Sequence, residues 1–223
     1  MLLLANAMAI MTLAYSAQST PTQSIPVRLP LGVQLELPRD WHVLSRNQRV
    51  ALDSVASRSV RKTHFDASTD DDGFTAHYYD DLGKLIASVH LGYFKTLDFT
   101  QAEARGASVA EITELDAFLQ GSMAQVSRAG NYSISSWQGT ERQTINGLTA
   151  FVSEYSRSLF KDDGNFRVRL VRIFDGSRSF TLSVSYRENE PLPLRSICDQ
   201  VITSLRTVSR VDSMLNQPLV DRE

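Results

Sequence analysis

The stretch from about residue 131 to 206 constrains the fold more than any other part of this chain. Four strand-like runs, at 132–137, 148–160, 166–174 and 180–187, are followed by one amphipathic helix. Asn146-Gly147 reads as a two-residue hairpin turn into the second run. Asp162-Asp163-Gly164-Asn165 and Asp175-Gly176-Ser177-Arg178 separate the last three, and such residues accept left-handed backbone at low cost. The helix carries Leu194, Ile197, Cys198, Val201, Ile202 and Leu205 at three-four spacing, opened by Pro191 and Pro193. Tight turns dictate antiparallel pairing, and the single apolar helix face has to be buried against the sheet. Truncating Ile197 or Ile202 to alanine is therefore expected to cost about 2–5 kcal/mol each.

The upstream half repeats these signals more loosely. Val33, Leu35 and Leu37 alternate with Gln34 and Glu36 and are stopped by Pro38, which is strand patterning. Ser45 suits an N-cap for a helix reaching about residue 62, and 64–72 is polar and acidic, as a loop is. Residues 74–79 and 85–94 read as a hairpin around Asp81-Leu82-Gly83. Thr100 with Glu103, and Ser108 with Glu111, are two successive capping boxes. The second opens a helix with Val109, Ile112, Leu115, Leu119, Met123 and Val126 on one face. The expected class is α+β: an antiparallel sheet of about six to seven strands with helices packed on its faces.

Residues 1–15 form an apolar run too short for a comfortable membrane span, followed by small side chains at the positions a signal peptidase reads. Lys and Arg are missing before Arg28, so the basic start of an ordinary signal is lacking, and an N-terminal core helix is the alternative reading. The expected organisation is an export segment at 1–19, a linker at 20–26, one α/β domain at 27–208 and a flexible tail at 209–223. A periplasmic or secreted location follows from the export segment, with no stable transmembrane span.

The 223 residues, 42% hydrophobic, suffice for a core without disulfides, and the one cysteine, Cys198, excludes an internal disulfide. Its place on the apolar helix face marks it as a packing residue rather than a nucleophile. With 23 basic against 25 acidic residues, nucleic acid is not an expected partner. Ser68-x-Asp70-x-Asp72-Gly73 imitates the start of a calcium loop, yet Tyr79 stands where the bidentate glutamate belongs. The four histidines, His42, His64, His77 and His90, show no metal-ligand spacing. His77 and His90 share a sheet face only if their hairpin has a two-residue loop. No Gly-x-Ser-x-Gly elbow occurs. The expectation is a protein without catalytic, cofactor or metal site.

One surface stands out. Phe166, Val168 and Leu170 are read as pointing the same way as Phe180, Leu182, Val184 and Tyr186. Arg167, Arg169, Thr181, Ser183, Ser185 and Arg187 then lie on the opposite face. A bulge at Leu170-Val171 would turn Val171 and Ile173 inward and Arg172 outward, and Arg157 would join from the preceding strand. The result is an arginine ladder, either a solvated sheet face or a docking surface for an anionic protein partner.

With Leu35-Glu36-Leu37-Pro38-Arg39-Asp40-Trp41 at the front and the helix around Ile197 to Leu205 at the end, the element order resembles the PsbP-like α/β/α sandwich superfamily. That family includes photosystem accessory proteins, DcrB-like envelope lipoproteins and Eag-type chaperones of type VI secretion. The resemblance implies binding, chaperoning or assembly rather than catalysis, and covers about residues 27 to 208. The chain lacks the lipid-anchored cysteine of the DcrB-like case, and its export segment departs from the Eag-type case. The function read at this point is an exported, non-catalytic envelope binding or accessory protein acting through a sheet face. A secretion-system chaperone or adaptor, and a hydrolase with a non-obvious site, are the alternatives.

Overall fold

A computed structural model describes residues 23–29, 32–51, 73–94, 99–129, 132–158, 164–176, 179–190 and 193–207. The export segment at 1–19, the acidic loop at 64–72, the Asp162-Asp163 pair and the tail at 209–223 lie outside the described residues.

Among the described residues the main sheet has seven antiparallel strands: β3 (His42–Val43), β4 (Phe74–Tyr79), β5 (Leu85–Tyr93), β9 (Phe180–Arg187), β8 (Asn165–Ile173), β7 (Leu148–Ser158) and β6 (Ser133–Ile145), in that spatial order. A second sheet of three strands places β2 (Val33–Pro38) between β1 (Ser24–Arg28) and β10 (Arg206–Thr207). Helices α1 (Gln101–Gly106), α2 (Val109–Ala129) and α3 (Leu194–Ser204) lie among the described residues.

Turn chemistry sets these pairings. Asn146 and Gly147 take φ of +47° and +80°, as a type I′ hairpin turn demands, and Ile145 pairs with Leu148 across it. The Asn146 amide also donates to the carbonyls of Thr203 (2.5 Å) and Leu205 (2.8 Å), pinning this hairpin to the end of α3. Both helix starts form the expected boxes: Thr100 Oγ1 and Ser108 Oγ accept from the Glu103 and Glu111 amides, and each glutamate reaches back to its cap. Ser45 and Gln48 make a third box at the start of the helical residues 46–51.

Elements pack on both broad faces of the main sheet. On one, α3 and the three-stranded sheet bury Val33, Leu35, Leu37, Cys198, Val201 and Ile202 against Val89, Val171, Leu182 and Val184. On the other, α2 packs on β6 and α1 on β7, with Phe151, Tyr155, Phe166 and Val168 buried.

This two-sided cover corrects the expected bulge at Leu170-Val171. β8 runs in regular register from Asn165 to Ile173 against both neighbours. Leu170 is buried on the α2 side and Val171 on the α3 side, so successive apolar residues are what a strand buried on both faces requires.

Two further differences have local causes. β1 begins at Ser24, inside the stretch expected as linker, because Pro26 is tolerated on an edge strand whose N–H side need not pair. β6 extends eight residues past Trp137, through polar Gln138 to Thr144, because it is the outermost strand and Gly139 at φ +98° re-phases it across a bulge.

Cys198 is 1% exposed, and burial, helped by the adjacent Asp199 carboxylate, pushes its thiol from the ordinary range up to about 12. A thiol that stays protonated is a poor nucleophile, so a maleimide at pH 7.5 should label Cys198 only after the protein is denatured. Rapid labelling of the folded protein would place this helix face in solvent. The same shift has a definite sign for stability. The unfolded thiol ionises above about 8.5 while the folded one does not, so this contribution holds below that pH and fades toward 12.

Candidate functional site

The register divides the five arginines between two faces. Arg167 lies opposite Tyr186, and Arg169 opposite Val184, so both share the α3 side of the sheet. Arg187 lies opposite Phe166, Arg157 opposite Phe166 from the other strand, and Arg172 opposite Phe151 and Thr181, all on the α2 side. The single ladder expected from the sequence is therefore corrected. It assumed that Phe166 shares a face with Phe180, whereas Ile173, an odd number of residues from Phe166, is the residue paired with Phe180.

On the α3 side two guanidiniums meet three carboxylates. Arg167 pairs with Glu154 at 3.3 Å and Glu188 at 3.0 Å, and Arg169 with Asp199 of α3 and with Glu154 at 3.8 Å. This patch carries no cationic excess.

On the α2 side the arginines are set into the packing. Arg187 is 5% exposed, donates from Nε to the Leu85 carbonyl at 2.7 Å and stacks its guanidinium 4.8 Å from the Phe166 ring centroid. Arg157 lies 5.5 Å from the Tyr132 ring centroid, and burial raises the Tyr132 hydroxyl to about 12. Burial also pushes Arg172 down to about 10, which leaves it cationic at neutral pH.

The histidines gather more than their spacing suggests. His42 stands directly opposite His77, and Thr75 opposite His90, placing all three rings on one face of β3–β5. Parity is set by a bulge: Tyr79 pairs with Leu85 but Tyr78 with Ala87, so the extra residue Ile86 restores the shared face that loop length alone would deny. His77 Nδ1 bonds Tyr79 Oη at 2.8 Å and His90 Nδ1 bonds Thr75 Oγ1 at 2.9 Å. Burial first, then His42 and His90, holds His77 below its ordinary value, so it stays neutral at pH 7. Among the described residues no group of three or more His, Cys, Asp or Glu converges for a metal.

The feature that sequence reasoning missed is a cleft of about 530 Å³ at the α1–α2 end of the sheet. Its apolar walls are Phe99, Leu115, Phe151 and Phe174, and Glu103, Gly106, Ala107 and Glu111 complete the lining. The Gln101 side chain holds α1 on the sheet by standing in for a strand partner. Its Nε2 donates to the carbonyls of Thr149 and Phe174, and its Oε1 accepts from the Thr149 amide at 2.7 Å. Arg142 Nη1 donates to the Arg105 and Ala107 carbonyls, both at 2.7 Å, closing the end of α1. The sequence carried the two capping boxes that mark the cleft rim, but not the fold that brings Phe151 and Phe174 beneath them.

Among the described residues no helix is long and apolar enough to cross a membrane. No family model and no curated protein matches the sequence. Among solved structures, the cyanobacterial PsbP (CyanoP) from Synechocystis sp. PCC 6803 superposes with a TM-score of 0.53 at 13% identity, over 88% of this chain and 99% of that one. LpqN of Mycobacterium tuberculosis, involved in cell envelope biogenesis, gives 0.39 at 15% identity, over 82% and 89%. The T6SS immunity protein TplEi from Pseudomonas aeruginosa gives 0.38 at 8% identity, over 82% and 97%. The match to CyanoP, nearly complete in both chains, carries the conclusion: this chain has the PsbP-like α/β/α sandwich fold.

Proposed function

We propose that the protein is an exported, non-catalytic binding or accessory component of the cell envelope, and that it holds its ligand or partner in the cleft between α1, α2 and the sheet. One observation supports this above the rest. The cleft is a concave, mainly apolar space with a few fixed polar groups, of the size that accommodates a small ligand. Arg157, Arg167, Arg169 and Arg187 serve the sandwich itself in this reading, through their pairs with Glu154, Glu188, Asp199 and the aromatic rings. The binding role accords with what the PsbP-like resemblance implies, and the export reading rests on the apolar run at 1–15.

Two measurements test it. Intact mass of the protein recovered from the periplasm of its native host should fall short of the full chain by about sixteen to nineteen residues. An unprocessed protein in the cytosol would overturn the export reading. Leu115→Trp, which fills the cleft, should abolish recovery of the envelope component that the wild type captures, while the thermal midpoint is kept. Equal recovery by that variant would remove the cleft from the function.

A further inference from the structure

Resting on the cleft as the binding site, we infer that its ligand is a small amphipathic cation: an aromatic or aliphatic body seated on the phenylalanines, with an ammonium group held between Glu103 and Glu111. The floor is built for it. Phe174 meets Phe99 at 4.9 Å and Phe151 at 5.8 Å between centroids, both edge to face, with interplanar angles of 74° and 69°. Rings in edge-to-face contact make a packed apolar floor on which an aromatic or aliphatic body can sit.

The rim supplies the counter-charge. Glu103 and Glu111 are the charged side chains of the cleft wall among the described residues, one from the first turn of each helix. Each is held in place by its capping box. Glu103 Oε2 accepts from the Thr100 amide at 2.7 Å and its hydroxyl at 2.8 Å, and Glu111 Oε2 from the Ser108 amide and hydroxyl, both at 2.7 Å. Each box uses one oxygen, and Oε1 is left outside it. The backbone hydrogen bond, foremost, keeps both carboxylates below their ordinary range, so they stay ionised at neutral pH. The Arg142 guanidinium is engaged by the α1 carbonyls, and among the described residues no cationic side chain is part of the wall. An anionic amphiphile of the same shape would meet two carboxylates, so the rim selects against it.

Phe118, three residues beyond Leu115 on α2, is 60% exposed. An added Cβ at Gly106 would meet nothing within 4 Å, so the connector side of the rim leaves room for entry.

Three probes with one body and different heads separate the possibilities: 4-phenylbutyltrimethylammonium, 4-phenylbutanol and 4-phenylbutyrate. Each is titrated into the ¹⁵N-labelled full protein, following the Gly106 and Ala107 amides, with calorimetry for affinity. The cation should bind about ten-fold or more tighter than the alcohol, the carboxylate should bind weakest, and salt should weaken only the cation. Glu103→Gln and Glu111→Gln keep an N3 acceptor for the capping box, so both helices retain their starts while the charge is lost. Each should reduce cation affinity by about three- to ten-fold and leave the alcohol unchanged. If the alcohol equals the cation, or the carboxylate binds best, the cationic inference fails while the cleft remains a binding site. If none of the probes moves the Gly106 and Ala107 amides and Leu115→Trp still recovers the envelope component, the cleft reading itself fails.

Discussion

Arg187→Ser should lower the unfolding free energy by about 3 kcal/mol, whereas Arg167→Ser should cost no more than about 1 kcal/mol. The two side chains were equals in the sequence pattern, and the register makes them opposites. Arg187 has its Nε on the Leu85 carbonyl and its guanidinium over Phe166, and an added Cβ at Gly164 would stand 3.2 Å from its Nη1. A serine there leaves the Leu85 carbonyl without that donor, removes the ring contact and empties the space that the arginine stem fills. Arg167 keeps about 29% of its side chain in solvent, and its pairs with Glu154 and Glu188 are partly screened. Urea unfolding followed by far-ultraviolet circular dichroism measures both. Equal, small losses for the two variants would mean that Arg187 is a surface residue after all. Phe166→Ala should cost about 3–5 kcal/mol, and the double variant with Arg187→Ser less than the sum, because the two share one contact.

How far the sequence reached follows from what each signal encodes. Asn146-Gly147 and the two capping boxes are local: their chemistry is complete within four residues, so β6–β7 and the starts of α1 and α2 were readable. The long strands β7, β8 and β9 were readable from apolar content alone. Facing was harder, because parity depends on where pairing resumes after a turn. Ile173 pairs with Phe180 across a six-residue connection, and Ile86 is bulged in β5. One slipped residue inverts a whole face, which is why the arginine ladder and the histidine grouping both came out differently. β3 and β10, of two residues each, carry no period to read. The cleft was illegible for another reason: Phe99, Leu115, Phe151 and Phe174 come from four separate segments, each a plausible core residue by itself.

Ile202→Ala should cost about 3–4 kcal/mol, and Ile197→Ala, expected to match it from spacing alone, only about 1–2 kcal/mol. Ile202 is 2% exposed among Leu194, Cys198, Val201 and Leu205, on the face of α3 that closes over the sheet. Ile197 is half-buried beside the smaller depression formed with Gln200, Thr203 and Glu36. The helix is also the clasp between two sheets: Ser204 Oγ accepts from the Glu36 amide at 2.8 Å, and the residues after it continue as β10 along β2. A cavity at Ile202 therefore weakens the contact of β2 with the main sheet as well as the seat of the helix. We expect both variants to unfold in one transition with an unchanged denaturant slope, as one domain over 27–208 would. Hydrogen exchange offers the sharper reading. In Ile202→Ala the amides of β2 and β9 should lose protection together, since both lean on α3. If β2 alone lost protection, the three-stranded sheet would be a separate cooperative unit and the single domain would have to be divided.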